Sequence, residues 1–415
     1  MSTYFDNSHV CRIGTLEFTS DQDPSPDLLP PRDEVQSWLA AILQAEHLSL
    51  LLGNGLTIAQ AGLCGAVAPS MASGVQIEEG ELQARLAEEA ERSAVSMGRG
   101  SPNLEDYLRV ALALEAGLRI AGDARADDVR SGVDQALQRL LDTVVVAEQG
   151  IRTGGGSHPN ASTELTADGY LVSFLLTFAS RTPTRDRLHI FSTNYDRVIE
   201  HAADLAGLRV VDRFVGALTP RFRASRMDVD LHYSPPGLRG EPRFLEGVIR
   251  FSKLHGSIDW ILKDDGIIRE GLPFGGPASN RSAADRLVFP NAAKDYETTE
   301  YPYAELFRDF SAAICRPNSV LVTYGYGFGD DHINRVIRDM LTIPSTHLLV
   351  ASFDAANGRV QRFVERSIRE GQVSLLLGSH FGDLRVLVDE YLPKPSADDI
   401  SWRRVNLLGG PAEGE

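Results

Sequence analysis

The sequence predicts an α/β protein, a doubly wound parallel sheet interrupted by a mostly helical insertion. Three observations predict it. From residue 187 onward, strand and helix signals alternate, the pattern of parallel strands joined by crossover helices. Leu48-Ser-Leu-Leu-Leu52 is a compact apolar run of the kind buried on both faces of a parallel sheet, and a glycine turn follows it directly. Between these regions, residues 76 to 150 change texture to Glu, Ala, Leu and Arg with helical spacing.

In chain order, residues 1 to about 32 are polar and end in Asp23-Pro-Ser-Pro-Asp-Leu-Leu-Pro-Pro31, a proline density that reads as an arm or linker. Asp33 is placed to cap a helix whose positions Val35, Trp38, Leu39, Ile42 and Leu43 share a face. The strand at 48–52 runs into Gly53-Asn-Gly55-Leu-Thr57 and an Ala-rich helical segment. Asn103 opens a helix, and Val129, Val133, Leu137, Leu140, Leu141 and Val144 form the stripe of another. A Gly/Ser loop at Gly154-Gly-Gly-Ser157 closes the block. A helix carrying Tyr170, Leu171, Phe174, Leu175 and Phe178 returns the chain to the sheet.

Further strands are expected at Leu188–Ser192, Arg209–Phe214, Val248–Leu254, Leu287–Phe289, Ser319–Tyr324, His347–Phe353 and Val373–Leu377. Helices are expected at about 196–206, 302–315, 330–341, 357–369 and 381–392. Lys263-Asp-Asp-Gly266 carries a hairpin turn signal. The tail after about Pro395 is polar and rich in Gly and Pro.

Composition narrows the function. The chain has 415 residues, 43% hydrophobic and 24% charged, with a formal net charge of −16. That balance argues against a surface that embraces DNA, which needs clustered Lys and Arg, so no direct nucleic-acid partner is expected. No apolar run approaches the roughly 20 residues of a membrane helix, and the N-terminus lacks a signal-peptide profile, so a cytoplasmic protein without a membrane partner is expected. The three cysteines, Cys11, Cys64 and Cys315, are scattered without zinc-ligand or redox spacing, so no structural zinc is expected. The chain has no GxxxxGK[ST], HExxH, GxSxG or paired CxxC, which sets aside the common NTPases, zinc hydrolases and serine hydrolases.

Four constellations carry chemistry. Gly53-Asn-Gly55 sits where backbone can approach a pyrophosphate ahead of a helix N-terminus, although an ordinary strand-to-helix turn reads the same way. Thr193-Asn194-Tyr195-Asp196 ends an apolar strand at the sheet's carboxyl edge. There Asn194 offers donor and acceptor to ribose hydroxyls or a water, and Asp196 reads equally as a helix N-cap. His255, at a strand end beside Gly256, has the pKa class of a general base near neutrality, and strand alternation puts charged Lys253 on its face. Gly325-Tyr-Gly327-Phe-Gly329-Asp330 is a further strand-to-helix turn, with Tyr326 or Phe328 available to stack on a base and Asp330 available as a cap.

Taken in order, Gly53-Asn-Gly55-Leu-Thr57, Ser192-Thr-Asn-Tyr-Asp196, Lys253-Leu-His-Gly-Ser257 and Gly325-Tyr-Gly-Phe-Gly-Asp-Asp-His-Ile-Asn334 resemble the sirtuin-like NAD-hydrolase domains of bacterial antiphage defence. Sirtuins show a Gly-Ala-Gly turn, a Thr-Gln-Asn-Ile-Asp strand end, a His-Gly and a glycine-containing nucleotide loop in the same order. The resemblance covers roughly 48 to 392 and implies a Rossmann-like, sirtuin-like NAD-binding domain over 33–395. Its helical insertion lies at about 76–160, with an arm at 1–32 and a flexible tail at 396–415. The chain departs from sirtuin deacylases in lacking their two cysteine pairs, which favours cleavage of NAD with water as acceptor.

By that resemblance Asn194 and His255 are the catalytic residues. Asn194 engages the nicotinamide ribose and orients water, and His255 acts as base. Gly53, Asn54, Gly55, Thr57, Thr193, Asp196, Gly256, Gly325, Tyr326, Gly327 and Phe328 bind NAD, which is substrate rather than resident cofactor. The implied function is an NAD-depleting effector that releases nicotinamide and ADP-ribose. The alternatives are an NAD-dependent protein deacylase, an ADP-ribosyl transferase, or a non-catalytic NAD or ADP-ribose sensor. The resemblance also implies a homo-oligomer working with a separately encoded HerA-type ring ATPase or a short Argonaute-like protein. The Pro-rich arm at 21–31 and the helical block at 76–150 are the segments expected at subunit contacts.

Overall fold

A computed structural model describes residues 9–22, 29–70, 74–96, 101–160, 163–181, 185–233, 243–263, 266–276, 301–366 and 370–394. The chain opens with a hairpin, β1 (His9–Ile13) and β2 (Leu16–Ser20), and continues through α1 (Arg32–Leu43), β3 (His47–Leu52) and α2 (Asn54–Leu63). Three helices follow, α3 (Gly80–Ser96), α4 (Leu104–Ile120) and α5 (Arg125–Gly154). Then come α6 (Ala167–Ala179), β4 (Leu188–Ser192), α7 (Val198–Ala206) and β5 (Arg209–Val211). Short strands β6 (Phe214–Val215), β7 (Arg221–Phe222), β8 (His232–Tyr233) and β9 (Arg243–Phe244) lead to β10 (Val248–Lys253), β11 (Trp260–Lys263) and β12 (Gly266–Arg269). The final part is α8 (Tyr303–Ile314), β13 (Ser319–Tyr324), α9 (Asp331–Leu341), β14 (His347–Ser352), α10 (Arg359–Glu365), β15 (Val373–Leu377) and α11 (Leu384–Val386), which runs on into a π-helical turn at Leu387–Tyr391.

Nine strands form one sheet in the order β2-β1-β15-β14-β13-β3-β4-β10-β5. From β15 to β5 every pairing is parallel, and the β1–β2 hairpin adds antiparallel at the β15 edge. The side-chain period of two splits the strands between two cores. Leu48, Leu50 and Leu52 of β3 face the core shared with α1, α6 and α7, whereas Leu51 faces the core shared with α8, α9 and α10. The sheet is thus buried on both faces, which is why its strands read as continuous apolar runs.

Strand order fixes where a ligand belongs. After β3 the chain builds outward through β4 and β10, and after β13 it builds the other way through β14 and β15. The adjacent pair β3 and β13 is therefore the topological switch point, and the crevice beyond their carboxyl ends is where open α/β sheets bind ligands. Helices α3, α4 and α5 form a block with a core of its own. Tyr195 and Ile258, from the loops after β4 and β10, are buried in that core.

Several local expectations are corrected. The segment read as an arm contains the β1–β2 hairpin, because His9–Ile13 and Leu16–Ser20 pair across a turn at Gly14. Residues 1–8 and 23–28 of that segment lie outside the described residues. Helix α1 begins at Arg32 after Pro31 without a side-chain cap, so Asp33 sits in its first turn, where its charge still suits the helix dipole. The strand expected over Arg209–Phe214 splits between two sheets, because Arg213 turns inward to pair with Asp309 at 2.6 Å. The helix expected at 357–369 is described only as far as Glu365, and 367–369 lie outside the described residues, as do the strand expected at Leu287–Phe289 and the tail at 396–415. Asn103 does open its helix, through a capping box with Asp106.

Candidate functional site

The two glycine turns at the switch point pack on each other. Gly53 N donates to Tyr324 O, and Gly55 N donates to Gly325 O at 3.0 Å. A Cβ on Gly53 would lie 2.4 Å from Gly325 O, and one on Gly55 would lie 2.5 Å from the Gly325 Cα. Glycine is thus required here for turn-on-turn contact, and Gly325 also has a φ of +62° that side-chain-bearing residues avoid.

Asn194 is held by this arrangement. Its Nδ2 donates to Gly53 O and to Thr57 Oγ1, both at 3.0 Å, and Thr57 Oγ1 donates to Asp196 Oδ2 at 2.7 Å. Because Gly53 O is an acceptor only, the amide orientation is fixed, and Oδ1 is the atom left for a substrate hydroxyl or a water. Burial raises the Asp196 carboxyl above its ordinary range, opposed by the ammonium of Lys253 and the Thr57 hydroxyl. Asp196 Oδ1 also accepts from Val198 N at 3.1 Å, so it satisfies the start of α7, although Arg197 occupies the N-cap position itself.

Lys253 does not share His255's surroundings as alternation suggested. It is buried, with Nζ on the Asp196 carbonyl, 2.8 Å from Ser257 Oγ and 3.0 Å from Glu200. It clamps the loops after β4 and β10 together from below.

His255 finds a partner that the sequence reading did not assign to it. Its Nε2 lies 2.9 Å from Asp330 Oδ2, while Asp330 Oδ1 accepts from the backbone of His332 and Ile333 as the N-cap of α9. One carboxylate therefore starts a helix and orients the imidazole. The sequence signal, an acidic residue closing the glycine turn at a strand end, marks the cap but carries no sign of the contact with His255.

These groups line a cavity of about 900 Å³, at the upper end of ordinary ligand pockets. Gly53, Asn54, Gly55, Thr193, Asn194, Asp196, His255, Gly325, Tyr326 and Gly327 line it, together with Tyr195. Thr57, Gly256 and Phe328 do not. Thr57 is fully buried behind Asn194, and Gly256, at a φ of +86°, turns the chain after His255. The expectation that Tyr326 or Phe328 stacks on a base is also corrected. Both rings are buried in the core beneath the turn, 4.8 Å apart, and the Tyr326 hydroxyl is engaged with Asp330 O and Asn334 Oδ1. The exposed aromatic on the cavity is instead Phe353, just past the end of β14.

The helical block contributes Asn103, Glu105, Leu140 and Val144 to the same cavity. It is fastened to the sheet by a buried ion pair, Glu148 of α5 with Arg197 at 2.6 Å. Among the described residues no cluster of His, Cys, Asp or Glu is placed to hold a metal ion, and no helix is long and apolar enough to cross a membrane.

Fold and site together define an α/β protein with a crevice at the switch point carrying an imidazole, a fixed carboxamide and two glycine turns. Residues 188–370 match the family model described as the SIR2-like domain, which supports a sirtuin-like domain in this chain and implies NAD binding. The matched region includes Thr193–Asp196, His255 and the turn at 325–330, and it leaves out Gly53-Asn-Gly55 and the helical block. No curated protein matches the chain.

Proposed function

We propose that the protein is an NAD+ glycohydrolase that cleaves the bond between nicotinamide and ribose. One observation carries the reading: His255, oriented by Asp330, and Asn194, fixed through Gly53 and Thr57, line one cavity at the switch point of a sirtuin-like sheet.

The chemistry follows from these groups. With its Nε2 proton on Asp330, His255 keeps a lone pair on Nδ1 as the base. Asn194 Oδ1 holds the ribose hydroxyl or the attacking water. Nicotinamide is a cationic leaving group, so it departs with the C1′–N bonding pair and needs no general acid. Water adds to C1′ of the oxocarbenium-like ribose and gives its proton to His255, leaving nicotinamide and ADP-ribose. Water as acceptor is favoured over an acylated lysine by the missing cysteine pairs and by the helical block at the cavity. The resemblance to antiphage NADases supports an NAD-depleting role, exerted in a homo-oligomer with a separately encoded HerA-type ATPase or an Argonaute-like partner.

The test is incubation of the purified chain with NAD+ while nicotinamide release is followed. Release that depends on an acylated peptide points to the deacylase. NAD binding without turnover points to the sensor. Wild-type turnover by H255A overturns the mechanism. Light scattering tests assembly, and a fully active monomer excludes the oligomer.

A further inference from the structure

Asn194 and His255 stand at matching places on neighbouring strands. Lys253 of β10 is paired in register with Ser192 of β4, and each of the two side chains lies two positions further on. Beyond that pair, Leu254 N donates to Ser192 O at 2.8 Å and Ile258 N donates to Tyr195 O at 3.1 Å. The residues between these two backbone bonds carry both groups out of the sheet, so side chains must set their spacing.

Lys253 is built for that task. A lysine is almost never fully buried without partners, and this one is 2% exposed. Its Nζ donates to Asp196 O on one loop and to Ser257 Oγ on the other at 2.8 Å, with the Glu200 carboxylate of α7 at 3.0 Å. Ser257 Oγ in turn donates to Tyr195 O at 3.3 Å, which joins the two loops a second time. The ammonium also opposes the burial that raises the Asp196 carboxyl, and so favours the charged acceptor that Thr57 Oγ1 meets at 2.7 Å. Thr57 Oγ1 then receives Asn194 Nδ2 at 3.0 Å. Lys253 thus reaches Asn194 through Asp196 and Thr57, although it is not on the cavity wall.

We propose that Lys253 is a positioning residue for NAD cleavage, which sets where Asn194 Oδ1 stands relative to His255 by holding Asp196 and Ser257 together. This rests on the NAD-cleaving reading of the site and adds to it a residue that touches neither substrate nor water. A displacement of about 1 Å at the reacting centre costs about 10²-fold in rate, so a buried clamp on both loops bears directly on turnover.

The experiment measures nicotinamide release, urea midpoints and amide hydrogen exchange for wild type, K253M, S257A, T57V and K253M/T57V. K253M keeps the apolar stem of the side chain and removes the charge. Its kcat falls by about 10²-fold while KM changes by less than about threefold, because the substrate contacts themselves remain. Exchange in residues 193–196 and 254–258 quickens in the same variant. Since Lys253 acts through Thr57, K253M/T57V loses less than the product of the two single losses in kcat, whereas a merely structural lysine gives losses that multiply. S257A removes one arm of the clamp, keeps the ammonium, and lowers kcat by about fivefold. It carries the test should K253M fail to fold.

Wild-type kcat in folded K253M or in S257A overturns the proposal, and so do multiplying losses in K253M/T57V. A wild-type protein that releases no nicotinamide, with faster exchange of both loops in K253M, defeats the hydrolase reading and sustains the clamp. Nicotinamide release by K253M at the wild-type rate does the reverse.

Discussion

His255 Nε2 lies 2.9 Å from Asp330 Oδ2, and the same carboxylate caps α9 through its other oxygen. The two functions separate by substitution. Asparagine caps helices about as well as aspartate, so D330N should remain folded, with stability changed by less than about 1 kcal/mol. An amide can nevertheless present N–H to His255, which selects the tautomer with its proton on Nδ1 and removes the base. Nicotinamide release by D330N is therefore expected to fall by about 10²–10⁴-fold, mostly in kcat. D330A should lose activity similarly and also about 1 kcal/mol of stability with the cap. Wild-type kcat in D330N would remove Asp330 from the mechanism.

Asn194 is as much a brace as a ligand. N194A would abolish nicotinamide release, and it would also remove two buried hydrogen bonds, leaving Gly53 O with Leu56 N alone and the Thr57 hydroxyl with Asp196 alone. A lost hydrogen bond whose partners stay paired costs about 0.5–1.5 kcal/mol, so the urea midpoint should fall modestly together with activity. T57S keeps the hydroxyl and should behave as wild type. T57V should lose activity although its side chain does not reach the cavity. A T57V protein as active as wild type would show that Asn194 holds its orientation without this brace.

The parallel sheet and the site motifs were legible because their signals are local. Leu188–Ser192, Ser319–Tyr324 and Val373–Leu377 are strands over the residues expected, since apolar runs bounded by polar turns leave little choice. The four motifs fall at strand ends for the same reason. Contacts between distant segments were not legible. Nothing near His255 in sequence points to Asp330, and nothing near Gly53 announces that its lost Cβ makes room for Gly325. Aromatic placement failed for a related reason. Tyr326 and Phe328 look available on a glycine-rich turn, but the turn folds them under itself, while Phe353 read as the last residue of a strand. The hairpin at 9–20 was hidden by the polar, proline-rich segment that follows it.

Glu148 and Arg197 form a buried ion pair between the helical block and the loop after β4. Arg197 follows Asp196 directly and uses its backbone N–H, Nε and Nη2 on Glu148, with its remaining donors on the carbonyls of Leu272 and Pro273. E148A leaves a buried guanidinium without its partner, which typically costs about 3–5 kcal/mol. The expected result is a lower unfolding midpoint and faster hydrogen exchange in α4, α5 and residues 193–196, with reduced NAD cleavage. Because Tyr195 and Ile258 are buried in the block's core, loosening it disturbs the residues beside Asn194 and His255. Unchanged exchange in 193–196 for a destabilised E148A would show that block and site are not coupled.

His347 offers a pH test of stability remote from the cavity, at the amino end of β14. Its Nε2 lies 2.9 Å from Ser374 Oγ and Trp38 packs edge-on at 5.9 Å, and burial pulls its pKa down to about 4. In the unfolded chain the imidazole titrates near 6.5. Between these values the unfolded state binds the proton and the folded state does not. Stability is therefore intact above about pH 6.5 and declines as pH falls toward 4, by up to about 1.4 kcal/mol per pH unit. H347Q can keep a hydrogen bond to Ser374 and removes the titration. Urea midpoints measured from pH 4.5 to 7 should fall less steeply in H347Q than in wild type, with NAD cleavage at pH 7 unaffected. Parallel pH profiles for the two proteins would mean that the folded imidazole takes up its proton as readily as the unfolded one.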